Sequence, residues 1–247
     1  MEYSRIVEWL KEYATMNNMS CFVVGVSGGV DSAVTSTLCA KTGYPTYTVL
    51  LPIHQNEDHT TRGNDHINWL QNQYDNVVKL KFDLTDTYES FKKTLNPYIN
   101  DLSLANTRAR LRMTTLYQVA GLYNGLVTGT GNKVEDFGVG FYTKYGDGGV
   151  DISPIADLMK SQVYKIGAAM GVSKEILTAP PTDGLWDDTR TDESQLGASY
   201  DELEWAMTFD GNTNECNSRE TKVLEIYKSF NTQNKHKMVP IPVFNFN

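Results

Sequence analysis

The chain of 247 residues is 40% hydrophobic and 11% aromatic, enough to bury a sizeable core, and one α/β domain spanning 1–247 is expected in preference to two small ones. Its formal charge of −8, from 22 basic and 30 acidic residues, argues against a nucleic-acid partner, which needs clustered Lys and Arg, so the substrates are expected to be small. No signal peptide opens the sequence, no apolar run approaches the ~18 residues of a membrane span, and Cys21, Cys39 and Cys216 lack C-x-x-C spacing; a cytosolic protein with reduced packing thiols and no membrane partner is expected.

In chain order, Ile6, Val7, Leu10 and Ala14 fall on one stripe of a helix over 4–16, which packs rather than reacts. The apolar run Cys21-Phe22-Val23-Val24 reads as the first strand. It leads into Gly25-Val26-Ser27-Gly28-Gly29-Val30-Asp31-Ser32 and then a helix through 41. A strand entering glycines flanked by hydroxyls, at a helix N-terminus, makes a nest of backbone N–H groups where an anion is favoured. The stretch has no Walker lysine and fails the dinucleotide fingerprint. No Asp or Glu occurs between Ser32 and Glu57 to hold a ribose, which argues against a Rossmann cofactor site. Asp31 is informative because a carboxylate 4 Å from a phosphate, at an effective dielectric near 20, is repelled by roughly 4 kcal/mol. A Mg2+ ion between them is expected; the plain alternative is a glycine turn with Asp31 capping the helix.

Gly43 and Pro45 end that helix, and 47–51 is the second strand. Residues 52–65 hold His54, Glu57, Asp58, His59 and Asp65 but none of the short metal-site spacings, and they read as a polar, mobile active-site loop entering a helix near Ile67. A third strand over 77–82 and a helix to 95, capped by Asp83, Thr85 or Asp86, continue the strand–helix alternation of a doubly wound parallel sheet. Residues 102–124 read as one long helix with apolar residues all round its axis, including Leu111, Met113, Leu116, Val119 and Leu122. It either lies deep in a monomer's core or packs on the sheet with one face and on a second copy with the other. Of its arginines, Arg108 and Arg112 share a face and Arg110 points away; a solvated face and an anion contact are both open to Arg110.

The fourth strand, 126–130, runs into Gly129-Thr130-Gly131-Asn132-Lys133, and its end opens beside the first loop if both strands are central. Glu135 follows within a turn and could share the Mg2+ of Asp31. Lys144, Asp147 and Asp151 then stand among three glycines in a loop rich in aromatics. Residues 160–170 are helical. Residues 179–194, with Asp183, Asp187, Asp188 and Arg190, form a long polar loop of the kind used as a lid. Helices resume near 194 and over 219–230, and the tail holds His236, Lys237 and two prolines.

Ser-Gly-Gly-Val-Asp-Ser resembles the phosphate loop of the N-type ATP pyrophosphatases. Joined to Gly-Thr followed by Glu135, to Thr143-Lys144-Tyr145-Gly146-Asp147-Gly148-Gly149-Val150-Asp151 and to Pro181-Thr182, it is similar to the NAD synthetases along nearly the whole chain, and to their ammonia-dependent type. The resemblance implies a doubly wound, mostly parallel five-stranded sheet with helices on both faces, adenine nucleotide alpha hydrolase-like, and no glutaminase domain. It implies ATP-dependent amidation of deamido-NAD by ammonia through an adenylated nicotinate. It places ATP on residues 25–32, Thr130, Lys160 and Thr182, Mg2+ on Asp31 and Glu135, and deamido-NAD on Arg110, Lys144, Asp151, His236 and Lys237, at the interface of a homodimer. Asp31 and Lys160 would act in catalysis. The sequence departs from the family's G-T-D-H-A-A-E with Gly131 and Asn132, and from P-T-A-D-L with Asp183 and Gly184. The rival readings are another adenylating enzyme of the superfamily and a silent nucleotide-binding module.

Overall fold

Four short strands pair into one parallel sheet in the computed structural model, which describes residues 2–55, 57–182, 184–186 and 190–246. These are β1 (Cys21–Gly25), β2 (Thr46–Leu50), β3 (Val77–Lys81) and β4 (Gly125–Val127), in the order β3-β2-β1-β4. Val23 of β1 lies opposite Tyr47 on one side and Val127 on the other. β1 is buried on both faces, which is why it reads as an unbroken apolar run rather than an alternating one. The helices are α1 (Glu2–Met16), α2 (Val30–Lys41), α3 (Glu57–Gln73), α4 (Thr85–Leu95), α5 (Asp101–Tyr123), α6 (Lys160–Met170), α7 (Lys174–Leu177), α8 (Asp192–Leu196), α9 (Tyr200–Thr208) and α10 (Ser218–Met238).

On one sheet face, Leu10 of α1, Val34 and Leu38 of α2 and Val163 of α6 pack with Phe22 and Val24. On the other, Leu116, Val119 and Ala120 of α5 meet Cys21, Val23, Val49 and Val127. A separate apolar cluster joins a π-helical turn, Val134–Val139, to α8, α9 and α10 through Val134, Leu196, Leu203 and Val223. This satellite core fixes Glu135 and the start of α9 relative to each other. Among the described residues no helix is long and apolar enough to cross a membrane.

Three expectations are corrected. The sheet has four strands among the described residues instead of five. Beyond β4 the chain adds only a single parallel bridge, Thr128 to Ile152, because Pro154 two residues on has no N–H with which to extend the ladder. The polar segment is shorter than 52–65, since α3 begins at Glu57; acidic residues in a first helical turn suit the positive end of the helix dipole. The long helix is not buried all round. α5 starts on a capping box between Asn100 and Ser103 and stops at Asn124 in the left-handed region, φ 51°. Leu102 and Leu122 are 62% and 69% exposed, and Tyr117 and Tyr123 are also open. One face of the helix lies on the sheet, and its N-terminal half also meets α4 and the 143–149 loop through Arg108 over the Tyr88 ring, Asn106 with Thr143 and Ala109 beside Gly146, while Leu102 and Leu122 stay open.

Candidate active site

β1 delivers its chain into the glycine loop at the carboxyl edge of the sheet, where α/β folds place their ligands. Val26 N still bonds Val49 O of the neighbouring strand at 2.9 Å, so the turn begins only afterwards, at Gly28 with φ 86°. Two hydroxyls brace the turn: Ser32 Oγ accepts from Ser27 N at 3.1 Å and donates to Gly29 O at 3.0 Å, and Ser27 Oγ accepts from Gly29 N at 3.2 Å. α2 then starts with Gly29 as N-cap and no side-chain cap. α3 crosses closely above, and a Cβ at Gly63 would stand 3.4 Å from Gly28 N. All eight residues from Gly25 to Ser32 line a cavity of about 260 Å3, joined there by Thr130, Glu135, Lys160 and Thr182.

At the cavity floor three charges meet. Lys160, at the start of α6 and 3% exposed, donates to Asp31 Oδ2 at 2.6 Å and to Glu135 Oε1 at 2.9 Å. Asn132 organises both acids: its Nδ2 donates to Asp31 Oδ1 at 3.1 Å, and its Oδ1 accepts from the amides of Val134 and Glu135. Tyr200 donates its hydroxyl to Glu135 Oε1 at 2.6 Å. Burial works against the Lys160 ammonium, but the two carboxylates outweigh it and hold it above the ordinary lysine range. Burial raises Asp31, and the Glu135 charge adds to this against the pull of Lys160. Burial acts on Glu135 too, but Lys160, the Tyr200 phenol and Asn132 together bring it below the usual carboxylate range.

The residues expected to meet the dinucleotide lie elsewhere. Arg110 donates to Lys144 O at 3.3 Å, Lys144 Nζ donates to His236 O at 3.0 Å, and Lys237 Nζ donates to Gly140 O and Tyr142 O. These cations form a rim joining α5, the 140–146 loop and the end of α10. Among the described residues none of Arg110, Lys144 and Lys237 is ion-paired to a carboxylate. Asp151 stands apart, with Oδ2 accepting from Val127 N at 2.8 Å and Oδ1 from the Tyr117 hydroxyl at 2.9 Å. Asp183, Asp187 and Asp188 lie outside the described residues.

Several site residues carry no sequence signal of their own. Arg112, read only as sharing a face with Arg108, lines the cavity and donates to Leu51 O at 3.0 Å and Gln55 Oε1 at 2.9 Å. Tyr200 and Asn132 touch acids distant in sequence, Glu135 at 65 residues and Asp31 at 101 residues respectively. The Gly131 departure does have a legible counterpart: a Cβ there would run into the Asp136 carboxylate. Burial, with Glu135, Asp147 and Asp31 nearby, pushes Asp136 up to about 8.

Comparison with known proteins places the chain in a family. A family model described as NAD synthase matches residues 2–240. An NH(3)-dependent NAD(+) synthetase of Alkaliphilus metalliredigens is 38% identical over 83% of this chain and 84% of its own length. One from Carboxydothermus hydrogenoformans is 35% identical over 94% and 92%. A solved structure of NMN synthetase from Francisella tularensis superposes with a TM-score of 0.89 at 34% identity, covering 99% of this chain and 98% of that one.

Proposed function

Because the chain belongs to the NAD synthase family, we propose that it uses ATP to join ammonia to the nicotinate carboxylate of deamido-NAD, giving NAD, AMP and pyrophosphate. The observation that carries this reading is the convergence of Asp31, Glu135 and Lys160 at the mouth of the glycine loop. A silent module has no need of three buried charges in its pocket.

Asp31 and Glu135 offer the expected metal two carboxylates. Among the described residues no three His, Cys, Asp or Glu side chains converge, but the two carboxylates already share one cation, the Lys160 ammonium. Two carboxylates completed by phosphate oxygens and water is how Mg2+ is commonly held, so Asp31 and Glu135 fit it. When bound, Mg2+ supplies neutralisation of charge on the triphosphate.

This chain's own groups do the rest. The amides of the 25–32 loop and the uncapped start of α2 hold the leaving pyrophosphate. Lys160, released from one or both acids, reaches the phosphates and stabilises the charge that grows on them. The nicotinate carboxylate oxygen attacks the α-phosphorus as the bond to pyrophosphate breaks, leaving an acyl adenylate. Ammonia then adds at the acyl carbon, AMP departs, and the nitrogen sheds a proton. Water competes for that mixed anhydride. Residues Ala179, Pro180, Pro181 and Leu185 line the cavity, which supports a lid role for this segment. The rim of Arg110, Lys144, His236 and Lys237 would take the phosphates of the pyridine nucleotide, and the open face of α5 would join a second copy in a homodimer, as in the family pattern.

The Francisella relative favours a second reading, in which nicotinate mononucleotide is the substrate and NMN the product. The reacting carboxylate is the same; only the adenylate half of the substrate is missing. Incubating the protein with ATP, ammonium and each nucleotide in turn tests both. Formation of NAD and AMP at the higher kcat/KM supports the first reading, and of NMN and AMP the second. No AMP with either refutes both.

A further inference from the structure

We propose that Tyr200 is a positioning residue for Glu135, its hydroxyl fixing one carboxylate oxygen so that the other faces a divalent cation. The inference rests on the metal reading above. The phenol donates at 2.6 Å to Glu135 Oε1, the same oxygen that Lys160 reaches at 2.9 Å, and its second acceptor is Asp192 Oδ2 at 3.3 Å. The ring is 5% exposed and lies 4.6 Å from the Lys160 ammonium. One side chain therefore touches both the acid and the base of the floor.

The anchor of this phenol is rigid. Tyr200 opens α9 behind a capping box between Ser199 and Glu202, and its amide donates to Glu193 Oε1 at 3.0 Å. α9 is tied to α6 where Lys160 begins it, because Glu204 accepts from Ser161 N at 2.8 Å and from Ser161 Oγ at 2.7 Å. Glu135, by contrast, sits in a single π-helical turn on a flexible side chain. A carboxylate that must present one oxygen to a cation gains from a fixed donor on the other, and removing such an outer partner lowers metal affinity by about 10- to 100-fold. A tyrosine present for packing alone needs only its ring.

The test is Mn2+ binding followed by electron paramagnetic resonance, with adenosine 5′-(α,β-methylene)triphosphate present, in the wild type, Tyr200→Phe and Glu135→Gln. Glu135→Gln should bind no Mn2+. Tyr200→Phe should bind it about 10- to 100-fold more weakly with an unchanged circular dichroism spectrum. Tyr200→Phe within twofold of wild type, with Glu135→Gln inactive in binding, overturns the inference and leaves the metal reading standing. Wild-type Mn2+ affinity in Glu135→Gln overturns the metal reading and the inference with it. Should Tyr200→Phe not fold, 4-aminophenylalanine in place of Tyr200 restores an N–H donor. It should bind Mn2+ within threefold of wild type, and a folded protein more than tenfold weaker refutes the proposal.

Discussion

The cavity floor and the outer rim both carry cations, yet they are held in opposite ways. Lys160 is buried and bonded to two carboxylates, while Arg110, Lys144 and Lys237 have main-chain carbonyls as partners and no ion pair among the described residues. A ligand entering the floor must exchange with an existing ion pair, which couples its binding to a rearrangement. An anion reaching the rim exchanges only with carbonyl dipoles. On the proposed function the floor would serve a change of charge during reaction, and the rim simple recognition.

The contrast can be broken most severely at the floor. Asp31→Asn and Glu135→Gln are each expected to lower pyrophosphate release by at least about 10^3-fold with the fold intact, since developing phosphate charge loses its counter-ion. Near-normal release by either variant refutes the assignment. Next in size is a charge on the open face of α5. Leu122→Glu leaves an exposed position of the protomer charged, but in a dimer it buries an unpaired carboxylate at a cost of several kcal/mol. Analytical ultracentrifugation should show the wild type as dimer and the variant as folded monomer. A dimeric variant would clear α5 of any interface role.

At the rim, Arg110→Gln and Lys237→Gln should each raise KM for the pyridine nucleotide about 10-fold or somewhat more, leaving kcat and the KM for ATP nearly unchanged. A matching fall in kcat would move these residues from recognition to chemistry. The smallest effect comes from a buried base with no carboxylate partner among the described residues. His66 is hydrogen-bonded to Ser36 at 3.0 Å, and burial brings it down to about 4. Since its folded value lies below the unfolded one near 6.5, its contribution is fully present above pH 6.5 and is lost as pH falls toward 4. By pH 5.5 the loss is about 1.4 kcal/mol, measurable by urea unfolding. His66→Gln should flatten that slope, and an unchanged slope would assign it to other groups.

Much of this was legible in the sequence because strand, glycine loop and helix are local patterns. Asp31 and Glu135 were found through their motifs and Lys160 through the family resemblance alone, and the structure brings them within hydrogen-bonding distance. What stayed hidden was non-local. Tyr200 meets Glu135 across 65 residues of chain, and its place at the head of α9 looks like an ordinary buried aromatic. The exposure of Leu102 and Leu122 was equally illegible, because an apolar residue on an open helix face reads the same as one facing a core. The early start of α3 was missed since its first turns are polar and its large apolar contacts, Ile67, Trp69 and Leu70, all fall in its second half.

The contact between Gly131 and Asp136 also constrains how this site can change by descent. With the Asp136 carboxylate in the space a Cβ at 131 would need, the two positions form one epistatic pair. Replacing Gly131 with the Asp more usual there requires the Asp136 carboxylate, the free end of a short side chain, to swing aside or be replaced, so a change at one position bears on the other.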